Sequence, residues 1–300
     1  MHRMSREQRA KVDAVLREPR PAPRTVQEMR AGFAARQARS AVPEAITTSA
    51  TTLGDRRALV VEPARGRRPG TILYFHGGAW TLGSPETSLS LTGNLVTRSG
   101  ARALSLDYRL APEHPFPAAV DDCLEAYRAL LDSGEDPARI ALAGDSAGGS
   151  LAVTTLLRAR ERGLPTPAAV AAFSPGLDLT LSGGSMDAKH GVDPLFTREA
   201  LAAVFAGYCP GQDPLDPLLS PALTADLTGF PPTLLQVGGN EVLLDDSTRM
   251  AARAVAAGVD VVLDVTADVP HVFQFFAGVL DEADQALDRA ALFLRQHLDG

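Results

Sequence analysis

The 300-residue sequence predicts an α/β fold, a mainly parallel central sheet flanked by helices, with a helical cap. Three observations lead there. From about residue 56, short β-rich runs alternate with longer helical patterns, the rhythm of a parallel sheet covered on both faces. A β-rich run passes directly into a helical pattern through the small-residue turn at 144–148 (GDSAG). The interval 174–232 is too long for an ordinary crossover, and long connections in compact domains are usually functional.

Apolar runs at 71–75, 102–106, 139–143, 168–173, 233–237 and 259–265 read as strands. Helical patterns fall near 87–99, 117–132, 147–161, 245–257 and 282–297. Asp193-Pro194 and Asp213-Pro214 break the long interval into short pieces. Within it, 197–208 reads as one helix with Thr197 as its N-cap. Residues 5–18 and 25–39 are amphipathic helices that precede the first strand and belong to no crossover. The expected organisation is cap helices in 1–40, core in 41–175, a cap insertion in 176–230 and core again in 231–300.

Composition narrows the function. With 45% hydrophobic residues, the chain can bury one large core. A net charge of -7 excludes the clustered Lys and Arg that bind phosphate backbones, so no nucleic-acid partner is expected. Residues 1–39 run against this balance, with ten Lys/Arg and four Asp/Glu. This basic arm is expected to dock on an acidic body. A membrane-surface helix is the competing reading, against which Glu7, Asp13 and Glu18 weigh. Cys123 and Cys209 stand in no metal-ligand spacing, so neither a metal nor a disulfide framework is implied. The chain has no apolar run of membrane-span length and no leader-like segment, so a cytoplasmic enzyme without stable membrane anchoring is expected.

The turn Gly144-Asp145-Ser146-Ala147-Gly148 matches G-x-S-x-G, a weak pattern alone and a strong one between a strand and a helix. There the turn lifts a serine hydroxyl above the sheet as a nucleophile; taken alone, Ser146 is simply an N-cap. A serine hydroxyl needs a base, and in this arrangement the acid and then the histidine follow the serine along the chain. Of the histidines after Ser146, His190 lies in the irregular interval and His297 on a polar terminal helix, which leaves His271 after the 259–265 strand. Glu241 is the first carboxylate after the 233–237 strand and is the expected acid, with Asp245 and Asp246 as alternatives. The amides of Gly77 and Gly78 after the 71–75 strand, with that of Ala147, are the expected donors to an oxyanion.

Residues 76–80 (HGGAW), 107–117 (DYRLAPEHPFP) and 144–149 (GDSAGG) together resemble the hormone-sensitive-lipase family of α/β-hydrolases, the bacterial carboxylesterases in particular. The likeness spans about residues 40–300. It implies the α/β-hydrolase fold, a cofactor-free serine esterase acting on small-molecule esters with short acyl chains, and a cap from the N-terminal helices plus the insertion. Homodimers are frequent in that family. The family's nucleophile, base and acid fall on Ser146, His271 and Glu241, and its glycine donors on Gly77 and Gly78. Its usual third glycine is Ala79 here. Gly176 stands where relatives often place an aromatic residue, which implies a wider acyl pocket; Trp80, Phe33, Leu195 and Phe196 are the other candidates for the substrate wall. Lactones, acylated natural products and a lyase or dehydratase on the same scaffold remain alternative readings, and a non-catalytic receptor is disfavoured by the intact histidine.

Overall fold

The computed structural model describes residues 2–19 and 25–299. Helices α1 (His2–Leu16) and α2 (Val26–Gln37) precede the hairpin β1 (Ile46–Leu53) and β2 (Arg56–Pro63). The core continues through β3 (Thr71–Phe75), α3 (Leu89–Ser99), β4 (Arg102–Leu106), α4 (Ala118–Asp132), β5 (Ile140–Asp145), α5 (Ala147–Glu161) and β6 (Ala169–Phe173). Short helices α6 (Ser185–Ala188), α7 (Arg198–Tyr208) and α8 (Pro221–Thr224) occupy the long interval. The chain then closes with β7 (Thr233–Gly238), α9 (Leu244–Ala256), β8 (Val261–Thr266) and α10 (Asp281–Leu298).

The eight strands form one sheet in the order β1-β2-β4-β3-β5-β6-β7-β8. Pairings are parallel from β4 through β8, and antiparallel only where β2 meets β1 and β4. Successive side chains of a strand point to opposite faces, and β3 shows the result. Leu73 and Phe75 join the core shared with α4 and α5, whereas Ile72 and Tyr74 join the core shared with α3 and α10. Every residue of β3, β5, β6 and β7 is buried, as central parallel strands require.

The six expected strands are present with ends displaced by one or two residues: the run expected from 259 begins at Val261, and that expected from 139 follows a short turn at Pro137–Arg139. The β1–β2 hairpin was not anticipated. Its first strand, ITTSATTL, is largely exposed, so it lacks the apolar alternation by which a strand is recognised.

The basic arm does dock on acidic groups. Arg9 bonds to Glu282 at 2.5 Å and to Asp268 at 3.2 Å, and Gln8 bonds to Asp281. Helix α2 is held by Arg30, which pairs with Glu113 at 2.6 Å and donates to the carbonyls of Thr81 and Ala111. The expected N-cap of α7 is in place, with the Ala200 amide donating to Thr197 Oγ1 at 3.2 Å. Among the described residues, no helix is long and apolar enough to cross a membrane.

Candidate active site

The turn from β5 into α5 puts Ser146 at φ 54°, ψ −119°, a conformation that costs a non-glycine residue about 1–3 kcal/mol. The surrounding structure enforces it. The Ser146 amide donates to the Phe173 carbonyl at 2.8 Å, and Gly144 and Gly148 bring β5, α5 and the end of β3 too close for any side chain. Ser146 keeps partial exposure while its neighbours on both sides are buried, so it is the reachable residue of the turn.

His271 and Glu241 complete a hydrogen-bonded row. His271 Nε2 lies 2.9 Å from Ser146 Oγ, and Nδ1 lies 2.7 Å from Glu241 Oε2. Glu241 is fully buried, and its other oxygen, Oε1, accepts from Ser174 Oγ at 2.6 Å and from the Gly238 amide at 2.5 Å. With the Nδ1 proton committed to a carboxylate, Nε2 is left as the acceptor facing the serine. The alternative acids are occupied elsewhere. Asp245 accepts from the Ser185 amide at 2.9 Å, and buried Asp246 accepts from the amides of Leu177 and Asp178.

Two opposed effects act on His271. Burial disfavours its cation, but the Glu241 charge and hydrogen bond, with smaller help from Asp193 and Asp145, outweigh burial and raise its pKa above the ordinary imidazole value. Only the neutral ring accepts a proton, so kcat/KM is expected to fall as pH drops through a midpoint above about 6.5. In Glu241→Gln the charge is gone, and the acid limb should move to lower pH while the plateau drops. Rates of p-nitrophenyl acetate hydrolysis across pH 5–9 check both; a limb unmoved by the substitution would detach Glu241 from the histidine.

The loop after β3 is built on buried polar groups. His76 stacks on Tyr108 with ring centroids 4.2 Å apart, and the Tyr108 hydroxyl donates to the His76 carbonyl at 2.6 Å. Burial holds the His76 pKa down at about 4, so it stays neutral. The Asp145 carboxylate sits beneath, accepting from the Tyr74 hydroxyl at 2.6 Å and from Ser88. Burial raises the Asp145 pKa against these hydrogen bonds.

Gly77 lies hard against Asp145, and a Cβ there would collide with the carboxylate. The amides of Gly78 and Ala79 have no protein acceptor among the described residues. Ala147 is the first residue of α5, where no intrahelical acceptor is available. The 107–117 block is scaffold: Tyr108 supports His76, and Arg109 is held by Asp122.

The expected wall residues fall in different places. Phe196 meets the His271 ring edge-on at 4.9 Å. Trp80 is buried, stacked on Tyr208 at 4.4 Å and edge-on to Phe205, so α7 fixes its orientation. Gly176 faces Trp80: a Cβ there would lie 3.8 Å from Trp80 Cη2 and 3.7 Å from Ser150 Oγ. Leu195 is half-buried, with its amide bonded to Asp193. Phe33 stands on α2. Its ring faces the Arg36 guanidinium at 5.7 Å and makes no ring contact with Trp80, Phe196 or His271.

Two buried groups near the row were not anticipated. Asp193 accepts from the amides of Leu195, Phe196 and Val242, which ties the long interval to the residue after Glu241. In the sequence the Asp-Pro pair marks a break, and an aspartate that bonds amides two and three residues on is the usual device for such a turn. Ser174, at the end of β6, touches Glu241 and the residue after His271.

The sheet order, the strained serine at a strand-to-helix turn and the hydrogen-bonded row define an α/β-hydrolase. A family profile described as the alpha/beta hydrolase fold matches residues 72–275. An acetyl-hydrolase of Streptomyces hygroscopicus is 44% identical over 246 residues, 81% of each chain. An esterase of Acinetobacter venetianus is 41% identical, covering 74% of this chain and 73% of its own. Among solved structures, an esterase from the bacterial hormone-sensitive lipase family superposes with a TM-score of 0.93 at 40% identity, covering 97% of this chain and 98% of that one. The esterase EstE5, soaked with p-nitrophenyl butyrate, superposes at 0.91 with 38% identity, covering 98% and 99%. The chain belongs to the bacterial hormone-sensitive-lipase family of α/β-hydrolases and is a carboxylic ester hydrolase.

Proposed function

We propose that the protein is a serine carboxylesterase for short-chain or small cyclic esters, acting through an acyl-enzyme at Ser146. The observation that carries this reading is the row Ser146–His271–Glu241, with links of 2.9 and 2.7 Å. Ser146 Oγ attacks the acyl carbon as His271 Nε2 takes its proton, and Glu241 stabilises the imidazolium so formed. The carbonyl oxygen gains negative charge and receives the amides of Gly78, Ala79 and Ala147. Collapse of the tetrahedral species breaks the bond to the alcohol, which leaves with the proton from His271. Water then attacks the acyl-enzyme with His271 again as base, and the carboxylic acid is released. Helices α1 and α2 and the segment 176–230 form the lid over this centre, with Phe196 against the histidine.

Short acyl groups are favoured by the relative named an acetyl-hydrolase, and by the buried, pinned Trp80 beside Gly176. A fluorophosphonate probe should label wild type at one serine, and p-nitrophenyl acetate and butyrate should be turned over. A chain that is neither labelled nor active on either ester is no serine esterase.

Gly176 sets the width of the acyl pocket. A methyl group fits there at ordinary contact distances, and any larger side chain grows on from that point beside Trp80. In Gly176→Trp, the kcat/KM for butyryl and branched esters is expected to fall about tenfold or more relative to acetyl, the discrimination available from one or two methylenes. An acyl-length profile equal to that of wild type removes Gly176 from the pocket.

A further inference from the structure

The steps above use Ser146, His271 and Glu241 and leave unexplained a second serine that meets two of them. Ser174 is fully buried at the end of β6 and sits at φ 47°, in the left-handed region that serine rarely enters. Its amide donates to the Gln236 carbonyl of β7 at 2.6 Å, which anchors the corner to the neighbouring strand. The turn aims its hydroxyl at two groups. Oγ donates to Glu241 Oε1 at 2.6 Å and accepts from the Val272 amide at 3.0 Å. Val272 follows His271 directly and is itself left-handed, at φ 46°. The residue before Ser174 holds the nucleophile, since the Phe173 carbonyl accepts the Ser146 amide at 2.8 Å. All three members of the row are therefore referenced to the end of β6.

We propose that Ser174 is a positioning residue for the hydrolysis, its hydroxyl joining the acid and the histidine loop into one rigid unit. The proposal rests on the triad reading given above. A hydroxyl has one proton to give and lone pairs to receive, and both capacities are used here in a fixed order. Donation to Oε1 selects Oε2 as the oxygen that faces His271 Nδ1. Acceptance from Val272 fixes the backbone from which the imidazole projects toward Ser146. A hydrogen bond to a carboxylate matters most while its charge is uncompensated, before the adjacent imidazole is protonated. Loss of the hydroxyl therefore makes the Glu241–His271 pair take up a proton more readily, and the acid limb moves to higher pH.

Glycine separates this role from a merely structural one, because it removes the hydroxyl and at the same time suits a positive φ. For p-nitrophenyl acetate, Ser174→Gly is expected to lower kcat about 10- to 100-fold with KM within about threefold of wild type, the scale of a small misplacement of a catalytic group. Its acid limb should move to higher pH, and Ser174→Ala should behave alike in rate. Added to Glu241→Ala, Ser174→Gly should cost several-fold less than it does in the wild-type background, since one of the two groups it joins is already gone. Wild-type kcat and acid limb in Ser174→Gly would overturn the proposal, as would a full further loss in the double variant. If His271→Ala and Glu241→Ala themselves retain wild-type turnover, the triad reading fails first. If they lose it while Ser174→Gly does not, only the role of Ser174 fails.

Discussion

Ser146→Ala is expected to lower kcat for p-nitrophenyl acetate by about 10⁵- to 10⁶-fold and to abolish fluorophosphonate labelling, with the thermal midpoint within a few degrees of wild type. Both halves follow from the same contacts. The hydroxyl bonds to His271 alone among the described side chains, so its loss removes the proposed nucleophile without opening the core. The backbone strain at φ 54° is unrelieved, because alanine keeps the Cβ that glycine would discard. The amides proposed for the oxyanion stay in place and should sustain a residual rate above that of water. His271→Ala should fall to a similar floor, and the double variant little further, since nucleophile and base act as one unit. Labelling retained in Ser146→Ala would move the nucleophile elsewhere.

How much of this was legible in the sequence depended on the range of the forces involved. The nucleophile turn was legible because its residue types are dictated locally. A sharp strand-to-helix corner needs small residues on both sides of the serine, and the glycines stand where Cβ atoms would collide. His271 and Glu241 were reached by chain order and by their places after strands, and they fall 2.7 Å apart although thirty positions separate them. The donor loop is legible only in part. A Gly-Gly pair shows that backbone approaches something closely, but not what it approaches. Gly77 meets Asp145, and that contact exists only after β3 and β5 have paired. Ser174 and Asp193 were missed for a related reason. Their importance lies in what they touch across the fold, at Glu241, Val272 and Val242, and serine and aspartate beside proline are ordinary loop residues in a linear reading. Phe33 stands on α2, a helix with no buried residue, and its ring faces an arginine of the same helix.

Gly148→Ala tests the same packing as a matter of stability. Inside an exposed helix, glycine to alanine stabilises by about 1 kcal/mol, and Gly148 lies in the first turn of α5. Here the sign reverses. The added Cβ would lie 1.9 Å from the Phe75 carbonyl oxygen and 2.7 Å from that of His76. These are backbone atoms at the end of β3, a central strand paired with β4 and β5, so no side chain can swing aside to make room. Either α5 withdraws from the sheet or β3 is pushed out of register, and a loss of about 4 kcal/mol or more is expected, in the range reserved for severe overpacking. Urea unfolding should show a much lower midpoint, or the variant should fail to accumulate in folded form. Gly176→Ala, whose Cβ makes contacts no closer than 3.7 Å, should change the midpoint little. The contact also has a catalytic consequence. Phe75 and His76 lead into Gly78 and Ala79, and Gly148 follows Ala147, so the missing Cβ sets the separation between the two sets of amides proposed to share the oxyanion. Any folded fraction of Gly148→Ala should therefore lose kcat with little change in KM, because a displaced donor weakens the transition state more than the bound ester. A Gly148→Ala protein with a wild-type urea midpoint would mean that α5 does not approach β3 this closely, and the amide geometry would fall with it.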